Sequence, residues 1–432
     1  MGVSKRIAVI GSGISGLACA YYLNRDTQQK HEVYVFEANQ RIGGHTATVD
    51  VKVGGREYAI DTGFIVYNDW TYPNFIALLD ELGVENQPTR MSFSVSDQRN
   101  GLEWAGSSLS TLFAQRRNLV SPRFLGMVRD ILRFNKQSVA DLEQGRISAD
   151  TTLGEYLKAN RYGEAFIEQY LVPMGSAIWS ADTDVMQGFP LQFFVRFFKN
   201  HGLLNIRNRP QWRTIKGGSR EYLGPLTAGF KDNIHRDRAV KQVTRHGDHV
   251  VLGFENGSQQ TFDQVVLACH SDQALAMLGD PTDTEREVLG AMRYQDNDVV
   301  LHTDTKLLPR DPKTWSAWNY LLNESEQRAV LTYNMNILQN IEAPETFCVT
   351  LNHTDAINPR KILGRFSYAH PVFSLEQVAA QERWAEINGD RTWYAGAYWH
   401  NGFHEDGVRS ALRVAEAIRE QAGTAPQLVS AA

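Results

Sequence analysis

The chain opens with two basic residues and then an unbroken apolar run, "KRIAVIG", the pattern of a strand buried on both faces. Glycines interrupt it at positions 11, 13 and 16, and "ISGLACAYYL" resumes as an apolar stretch of helical length. A second strand-like run, "HEVYVFEANQ", leads to Glu37. From Pro73 to about Pro210 the pattern turns mostly helical. "YPNFIALLDELGV" has apolar residues three and four apart and stops at Gly83. "SPRFLGMVRDILRFNKQSVADLEQG" starts on Ser-Pro and continues as one amphipathic helix. "TTLGEYLKANRYGEAFIEQYLVPM" predicts two short helices, and "GFPLQFFVRFFKNHGLL" a strongly aromatic one. Alternation then takes over. "AVKQVTRHGDHVVLGFENGSQQTFDQVVLACH" predicts strands with turns at "HGDH" and "ENGS", and "NDVVLHTD", "RAVLTYNMN" and "FCVTLNH" predict a further sheet. "TWYAGAYWHNGFHEDGVRSALRVAEAIREQ" closes the chain as strand, loop and helix, before a small polar tail expected to fray. No internal repeat or low-complexity linker is visible.

The first fifty residues carry chemistry. Gly11-x-Gly13-x-x-Gly16 lies between a strand and a helix, and Glu37 ends the next strand about twenty residues on, the dinucleotide fingerprint in its required context. Gly11 permits the tight turn, Gly13 the approach of a pyrophosphate, and Gly16 the packing of helix on sheet. The helix N-terminus, with Ser15 in its first turn, offers N–H groups to phosphate. Glu37 can accept hydrogen bonds from ribose hydroxyls. Arg41, Gly43 and Gly44 form a second glycine turn just beyond, which suits a longer cofactor lying across the sheet edge.

Bulk properties narrow the partners. With 432 residues, 42% of them hydrophobic, the chain can fill one large or two intertwined cores. A formal net charge of -5 argues against nucleic acid. Cys19, Cys269 and Cys348 are far apart and show neither zinc nor disulfide spacing. The N-terminal apolar run is too short for a signal peptide and no stretch is long enough to span a bilayer, so the expected location is the cytoplasm. One region departs from the acidic average. Arg116, Arg117, Arg123, Arg129, Arg133 and Lys136 cluster early in the helical stretch, and Arg196, Lys199, Arg207, Arg209 and Arg213 near its end, beside Phe189, Phe193, Phe194, Phe197 and Phe198. Such a surface is either a solvated basic face or a peripheral contact with the inner face of an anionic membrane.

Near the C-terminus His400, His404, Glu405 and Asp406 lie between glycines. Metal ligation is disfavoured, because the i,i+4 spacing of the histidines has no geometric meaning in a loop. No G-x-S-x-G elbow is present.

These segments together resemble the flavin superfamily of amine oxidases, phytoene desaturases and protoporphyrinogen oxidases. The resemblance implies an α/β fold with a Rossmann-like FAD-binding domain (residues 1–72, 215–290 and 386–423) and a discontinuous α+β substrate domain (73–214 and 291–385), followed by a flexible tail at 424–432. It implies FAD as cofactor, with the "RxGG" segment on the diphosphate. His45 reads either as a phosphate neighbour or as a polar turn residue. Asp61-Thr62-Gly63-Phe64 resembles the turn that runs along the flavin, and Gly217-Gly218 the point where the chain returns to the flavin domain. By the same resemblance the Val240 backbone lies against adenine, and Ala38 and Val408 flank the cofactor. Gly396 would let the backbone approach the ribityl phosphate, although Ala397 replaces the usual acidic residue. Backbone N–H groups around Glu405, Asp406 and Gly407 would point at the flavin C2 carbonyl, with Asp406 as helix cap. His404 is then the candidate to touch flavin or substrate and the one catalytic candidate. The run matching the lysine-bearing strand of amine oxidases, "MRYQDNDVVLHTD", has no lysine, and Lys306 lies later, beside a turn.

"VPMGSAIWS", "FFKNHGLLNIRNRPQWRTIKGGS", "LTYNMNILQ", "TLNH", "YAHPVF" and "GAYWHNGFHEDG" resemble a narrower group: oxidoreductases related to the N-terminal oxidase-like domain of plant cyclopropane fatty acid synthases. That resemblance implies a lipid acyl chain as substrate, an apolar tunnel lined by the aromatic insert, and an acyl-modifying enzyme as partner. Rival expectations are an amine oxidase, a fatty-acid double-bond isomerase and a non-redox FAD-stabilised partner. His270 is a second proton-acceptor candidate, disfavoured by its place at the edge of the adenine strand.

Overall fold

A computed structural model describes residues 4–26, 31–323 and 330–421. The tail at 424–432 and the first residues of "RAVLTYNMN" lie outside the described residues. The first apolar run forms the strand Arg6–Ile10 at the centre of a five-stranded parallel sheet. Glu32–Phe36 and then Ile234–His235 pair on one side, and Gln264–Leu267 and then Thr392–Tyr394 on the other. Ile7, Ala8 and Val9 are fully buried, which is why the run shows no alternation. The helix Ile14–Asn24 covers one face and is itself covered by the closing helix His404–Gln421, so that Leu17, Ala18, Cys19 and Ala20 see no solvent.

A seven-stranded sheet forms the second domain. Its order is Ile362–Val372, Arg293–His302, Cys348–Leu351, Val330–Asn334, Trp318–Leu322, Phe93–Asp97 and Leu102–Ala105. The last two strands correct the expectation of a mostly helical stretch after Pro73, as does Asn86–Thr89. Their buried face is partly polar: Ser94 is fully buried and its hydroxyl donates to Asn319 Oδ1 at 2.9 Å. Met91, Phe93 and Val95 do alternate with serines in "MSFSVSD", a period-two signal too short to stand out beside the helical segments around it. Asn86–Thr89, Trp212–Ile215 and Tyr67–Asn68 pair in a three-stranded sheet that ties together the points where the chain leaves for the insert and comes back.

The long amphipathic helix is Pro122–Glu143, capped by Ser121 Oγ on the Phe124 N–H. Leu153–Ala159 is the first of the two expected short helices, closed by a Thr152/Glu155 capping box. The second is longer than predicted, because Glu164–Phe166 continues through a π turn, Ile167–Leu171, into Val172–Trp179. The aromatic helix is Leu191–Asn200. Its phenylalanines do not line a tunnel. Phe194 stacks on Phe198 at 4.0 Å, Phe193 on Phe373 at 4.8 Å, and Phe197 lies 4.8 Å from Trp179, so these rings fill the core of the insert. Among the described residues no helix is long and apolar enough to cross a membrane.

Candidate functional site

The site is built at the carboxyl ends of the parallel strands, the position where open α/β sheets hold ligands. Gly11 takes φ +103°, and a Cβ there would lie 2.7 Å from the Ala268 carbonyl oxygen. A Cβ on Gly16 would lie 2.0 Å from Gly11 O. Gly13 differs: it has φ −69°, and a Cβ would meet nothing within 4 Å. Its hydrogen therefore faces open space at the N-terminus of the helix, as pyrophosphate approach requires. The second glycine turn packs on the first. Gly43 N–H donates to Ser12 O at 2.9 Å, and a Cβ on Gly44 would stand 3.1 Å from Gly13 Cα.

Glu37 is buried and already well bonded. One oxygen accepts from the Ser12 N–H at 3.1 Å and from the Ser12 hydroxyl, and the other from Asn39 N–H and Nδ2 at 2.9 Å each. A ribose hydroxyl must share or replace one of these donors. Beside it lies a cavity of about 640 Å³ lined by Gln40, Gln260 and residues 234–238, which sequence reading missed. Backbone bonds weld that segment to Glu37, with Glu37 N–H on His235 O at 2.9 Å and Arg238 N–H on Glu37 O at 2.8 Å. The Arg238 guanidinium stacks 4.2 Å over Phe254 and donates to Ser258 Oγ at 2.8 Å, presenting a flat cationic surface. Val240 starts the adjoining strand and Ala38 is exposed at the rim.

Several candidates also hold the loops of the site in place. The Arg41 guanidinium donates to Thr46 O and Gly44 O, both at 2.7 Å, so it shapes the loop expected to meet the diphosphate. Thr62 and Phe64 zip onto the preceding segment, Thr62 N–H to Ala47 O and Phe64 N–H to His45 O at 2.8 Å, and Gly63 is glycine because a Cβ would fall 2.2 Å from His45 O. Gly396 is extended, and the Tyr398 ring fills the space next to its Cα, with a ring carbon 2.1 Å from where a Cβ would stand. The side where a Cβ would stand is therefore closed to any residue but glycine. Val408 is fully buried in the core and presents no side chain to a cofactor.

The closing helix begins at His404. Asp406 Oδ2 accepts the Phe403 N–H at 2.9 Å, reaching back from the first turn as an N-terminal cap, and burial raises its carboxyl to about 7. The Glu405 carboxylate caps a different helix, Pro73–Glu81, taking Asn74 Nδ2 at 2.6 Å and the N–H groups of Asn74 and Phe75 at 3.2 and 2.9 Å. What the helix offers a ligand is thus its first-turn amides. Ser15 and Gly407 meet here: a Cβ on Gly407 would be 2.9 Å from Ser15 Oγ and 2.6 Å from Ile14 Cγ2. His404 stacks on Phe64 with ring centroids 3.6 Å apart, and its Nε2 lies 3.1 Å from Thr46 Oγ1 and 3.3 Å from the Tyr222 hydroxyl. Burial drives its imidazole down to about 3. This ring joins four chain segments, the geometry of a positioning residue. His400 is tied up nearby, its carbonyl accepting Gln381 Nε2 at 2.6 Å. Among the described residues no group of three or more His, Cys, Asp or Glu is arranged to hold a metal ion.

Distant segments assemble a second histidine cluster that spacing could not reveal. His45 lies 5.4 Å from His370, 5.2 Å from Tyr368 and 6.2 Å from His270, ring centre to ring centre. His270 stacks on Tyr294 at 4.2 Å, and His370 Nδ1 is 3.4 Å from Asn297 Nδ2. Burial lowers all three imidazoles, His370 to about 4, with neighbouring imidazoles adding to the effect at His45 and His370. They are neutral near pH 7. Asn297, fully buried, comes from the run that lacks the lysine. Asp61, the first residue of the D-x-G turn, is a hub: it accepts Thr48 Oγ1 at 2.6 Å, Ser219 N–H and Oγ at 2.9 Å and Gln339 Nε2 at 3.1 Å, and burial raises it to about 6. It pins the Gly217-Gly218 turn, through Ser219, against Thr48 and Gln339.

The residues fit a flavin dinucleotide. The cradle has open space at Gly13, amides at two helix N-termini, and two buried polar atoms, His45 Nε2 and the Tyr398 hydroxyl, with no partner among the described residues. Known proteins agree. AofH of Mycobacterium tuberculosis, which carries the provisional name flavin-containing monoamine oxidase, is 27% identical over 287 residues, 64% of this chain and 59% of that protein. Coproporphyrinogen III oxidase of Bacillus subtilis is 24% identical over 306 residues, 64% of this chain and 62% of its own. The match thus spans about 60% of the length of these relatives. The fold is that of cyclohexylamine oxidase from Brevibacterium oxydans IH-35A (TM-score 0.68, 17% identity, covering 98% of this chain and 100% of that one) and of a CLA-producing fatty acid isomerase from P. acnes (TM-score 0.67, 16% identity, covering 95% and 97%). The family pattern for flavin-containing amine oxidoreductases matches residues 14–314, and the chain belongs to that family.

Proposed function

We propose that the protein is an FAD-dependent oxidoreductase that removes hydrogen from an activated, allylic C–H of an unsaturated lipid acyl chain. The observation that carries the reading is the pairing of a dinucleotide cradle with a cluster of neutral imidazoles from three segments and the Asn297 amide, which alone lies on the run where amine oxidases of the resembled superfamily carry lysine. When bound, FAD would supply the two-electron acceptor chemistry. The chain's own residues do the rest. Glu37, Arg238 and the Val240 backbone would hold the adenosine end, the glycine turns and the Ser15 amide the diphosphate, and the first-turn amides of the closing helix the redox end. As the hydride leaves one carbon, the proton on its neighbour passes to His45 or His370, and the electron pair of that C–H bond becomes the new C=C bond. Neutral imidazoles are free to take it. His404 keeps the walls of the site together.

The lipid choice draws on the stretches "YAHPVF" and "GAYWHNGFHEDG", which resemble the oxidase-like domain of cyclopropane fatty acid synthases, and on the fatty acid isomerase that shares the fold. It brings with it an acyl-modifying enzyme as partner and peripheral contact with the inner face of a membrane. A second reading, amine oxidation, is favoured by the family name and by AofH. Mass spectrometry of defined unsaturated phospholipids after aerobic incubation separates the two. A product lighter by one hydrogen pair supports desaturation. An unchanged mass with a moved double bond points to isomerisation, and untouched lipid with hydrogen peroxide formed from polyamines overturns the lipid reading in favour of amine oxidation.

A further inference from the structure

The basic stretch of the insert looks different once its side chains are placed. The phenylalanines beside the basic clusters are buried, with Phe189, Phe194 and Phe198 at 0% exposure. Arg133 is turned inward, 3.8 Å over the Tyr162 ring and donating to Asn160 O at 3.0 Å. A different set of apolar residues is outside. Leu109, Leu119, Val120, Leu125 and Leu132 are 76, 53, 80, 43 and 49% exposed, so most of the large exposed hydrophobics of the described chain fall within one short segment.

Their arrangement is regular. On the helix Pro122–Glu143, Phe124, Met127 and Phe134 face the core. Leu125, Arg129, Leu132 and Lys136 follow one another at four- and three-residue spacing on the outer face. Leu119 and Val120 stand immediately before the helix, in the turn Arg116–Val120, and the segment that carries them is fastened by Phe113 on Phe124 at 5.7 Å and by Arg117 on Gly101 O at 2.6 Å. Besides Arg133, two of the cations are engaged within the chain, Arg117 on Gly101 O and Arg129 at 3.5 Å from Asp130, and the others are available to a partner. Among the described residues Arg116, Arg117, Arg123 and Lys136 form no ion pair, and the one carboxylate of residues 107–140, Asp130, is buried, accepts the Gly163 N–H at 2.9 Å and pairs with Arg129 and Arg133 at 3.5 and 3.4 Å.

We propose that this face, from Leu109 to Lys136, docks on an anionic lipid bilayer. Five apolar side chains would enter the interfacial zone while arginines and Lys136 stay at the level of the headgroups. Charge selects the occupant: the segment is strongly positive on a chain of net charge -5, which favours an anionic surface and disfavours a second copy meeting the same basic face. The inference rests on the lipid reading above for its purpose, and on this surface for its evidence.

Sedimentation of the holoprotein with vesicles tests it. Phosphatidylcholine vesicles containing roughly a quarter phosphatidylglycerol should carry the protein down, neutral phosphatidylcholine vesicles should carry much less, and added salt should release it. The double variant L125E/L132E should lose at least about tenfold in partitioning, and R123E/K136E should lose the preference for anionic lipid, both with unchanged flavin content. Failure of the unaltered holoprotein to sediment with anionic vesicles overturns the proposal. So does a dimer, by analytical ultracentrifugation, that dissociates on L125E/L132E substitution while vesicle binding is unaffected. Vesicle binding without any lipid turnover would keep the docking face and remove the lipid substrate, so the two readings fail separately.

Discussion

Gly13 and Gly407 stand at the two helix N-termini of the cradle, and each shows a different use of a missing side chain. Gly13 faces open space, and Gly407 is pressed against Ile14 and Ser15. Gly13→Ala is expected to leave thermal stability within about 0.5 kcal/mol of the parent, because its φ suits any residue, yet to weaken FAD binding by intruding on the pyrophosphate. Gly407→Ala should destabilise by about 1–3 kcal/mol through overpacking. Thermal unfolding with and without FAD distinguishes the two. At His370 the expectation concerns rate. His370→Asn should keep the flavin and lower substrate-driven flavin reduction about a hundredfold, the ordinary size of a general-base effect. Undiminished reduction in that variant would take the histidine cluster out of the mechanism. The fingerprint glycines were legible in the sequence because local geometry alone demands them. The cluster of His45, His270 and His370 was not, since its members come from three segments joined only by tertiary packing.

Elements are held by caps that cross between them. Glu405, in the first turn of the closing helix, caps Pro73–Glu81, and Asp406 caps its own helix. "HNGFHEDG" displays both acids, and its cap was predictable for Asp406 from position. The partner of Glu405 lies 330 residues earlier, so no local rule could pair them. Glu405→Ala should cost about 1–2 kcal/mol, the range for a lost helix cap, and loosen the start of Pro73–Glu81 in hydrogen exchange. Protection of the Asn74 and Phe75 amides equal to the parent would contradict this. The strands Phe93–Asp97 and Leu102–Ala105 escaped sequence reading because their apolar alternations, Phe93/Val95 and Leu102/Trp104, are short and their buried positions also include hydrogen-bonded serine and glutamate. The central parallel strands were readable because burial on both faces leaves only apolar choices.

For the whole molecule, buried imidazoles set the acid limit of stability. Burial holds His201, His302 and His370 at about 4 and His400 and His404 at about 3. In the unfolded chain they titrate near the ordinary histidine value of about 6.5. The folded state therefore refuses protons that the unfolded state accepts, so this contribution is complete above about pH 6.5 and is lost as pH falls toward 4. Asp406 and Asp61, raised to about 7 and about 6, act in the opposite direction: the stability they lend is greatest in acid and declines as pH rises through those values. The imidazoles outnumber them. The unfolding temperature should fall on going from pH 6.5 to pH 5, and a flat or rising profile there would contradict the burial of these rings. The site also has two unlike regions, an open cavity beside the Glu37 segment and a buried histidine cluster.

Reduction of the flavin by substrate tests the central claim most directly. The FAD-loaded protein would be titrated without oxygen, first with an unsaturated phospholipid and separately with polyamines, while the oxidised-flavin absorbance at about 450 nm is followed. Bleaching by the phospholipid and none by polyamines is the predicted result; bleaching by polyamines alone would contradict it.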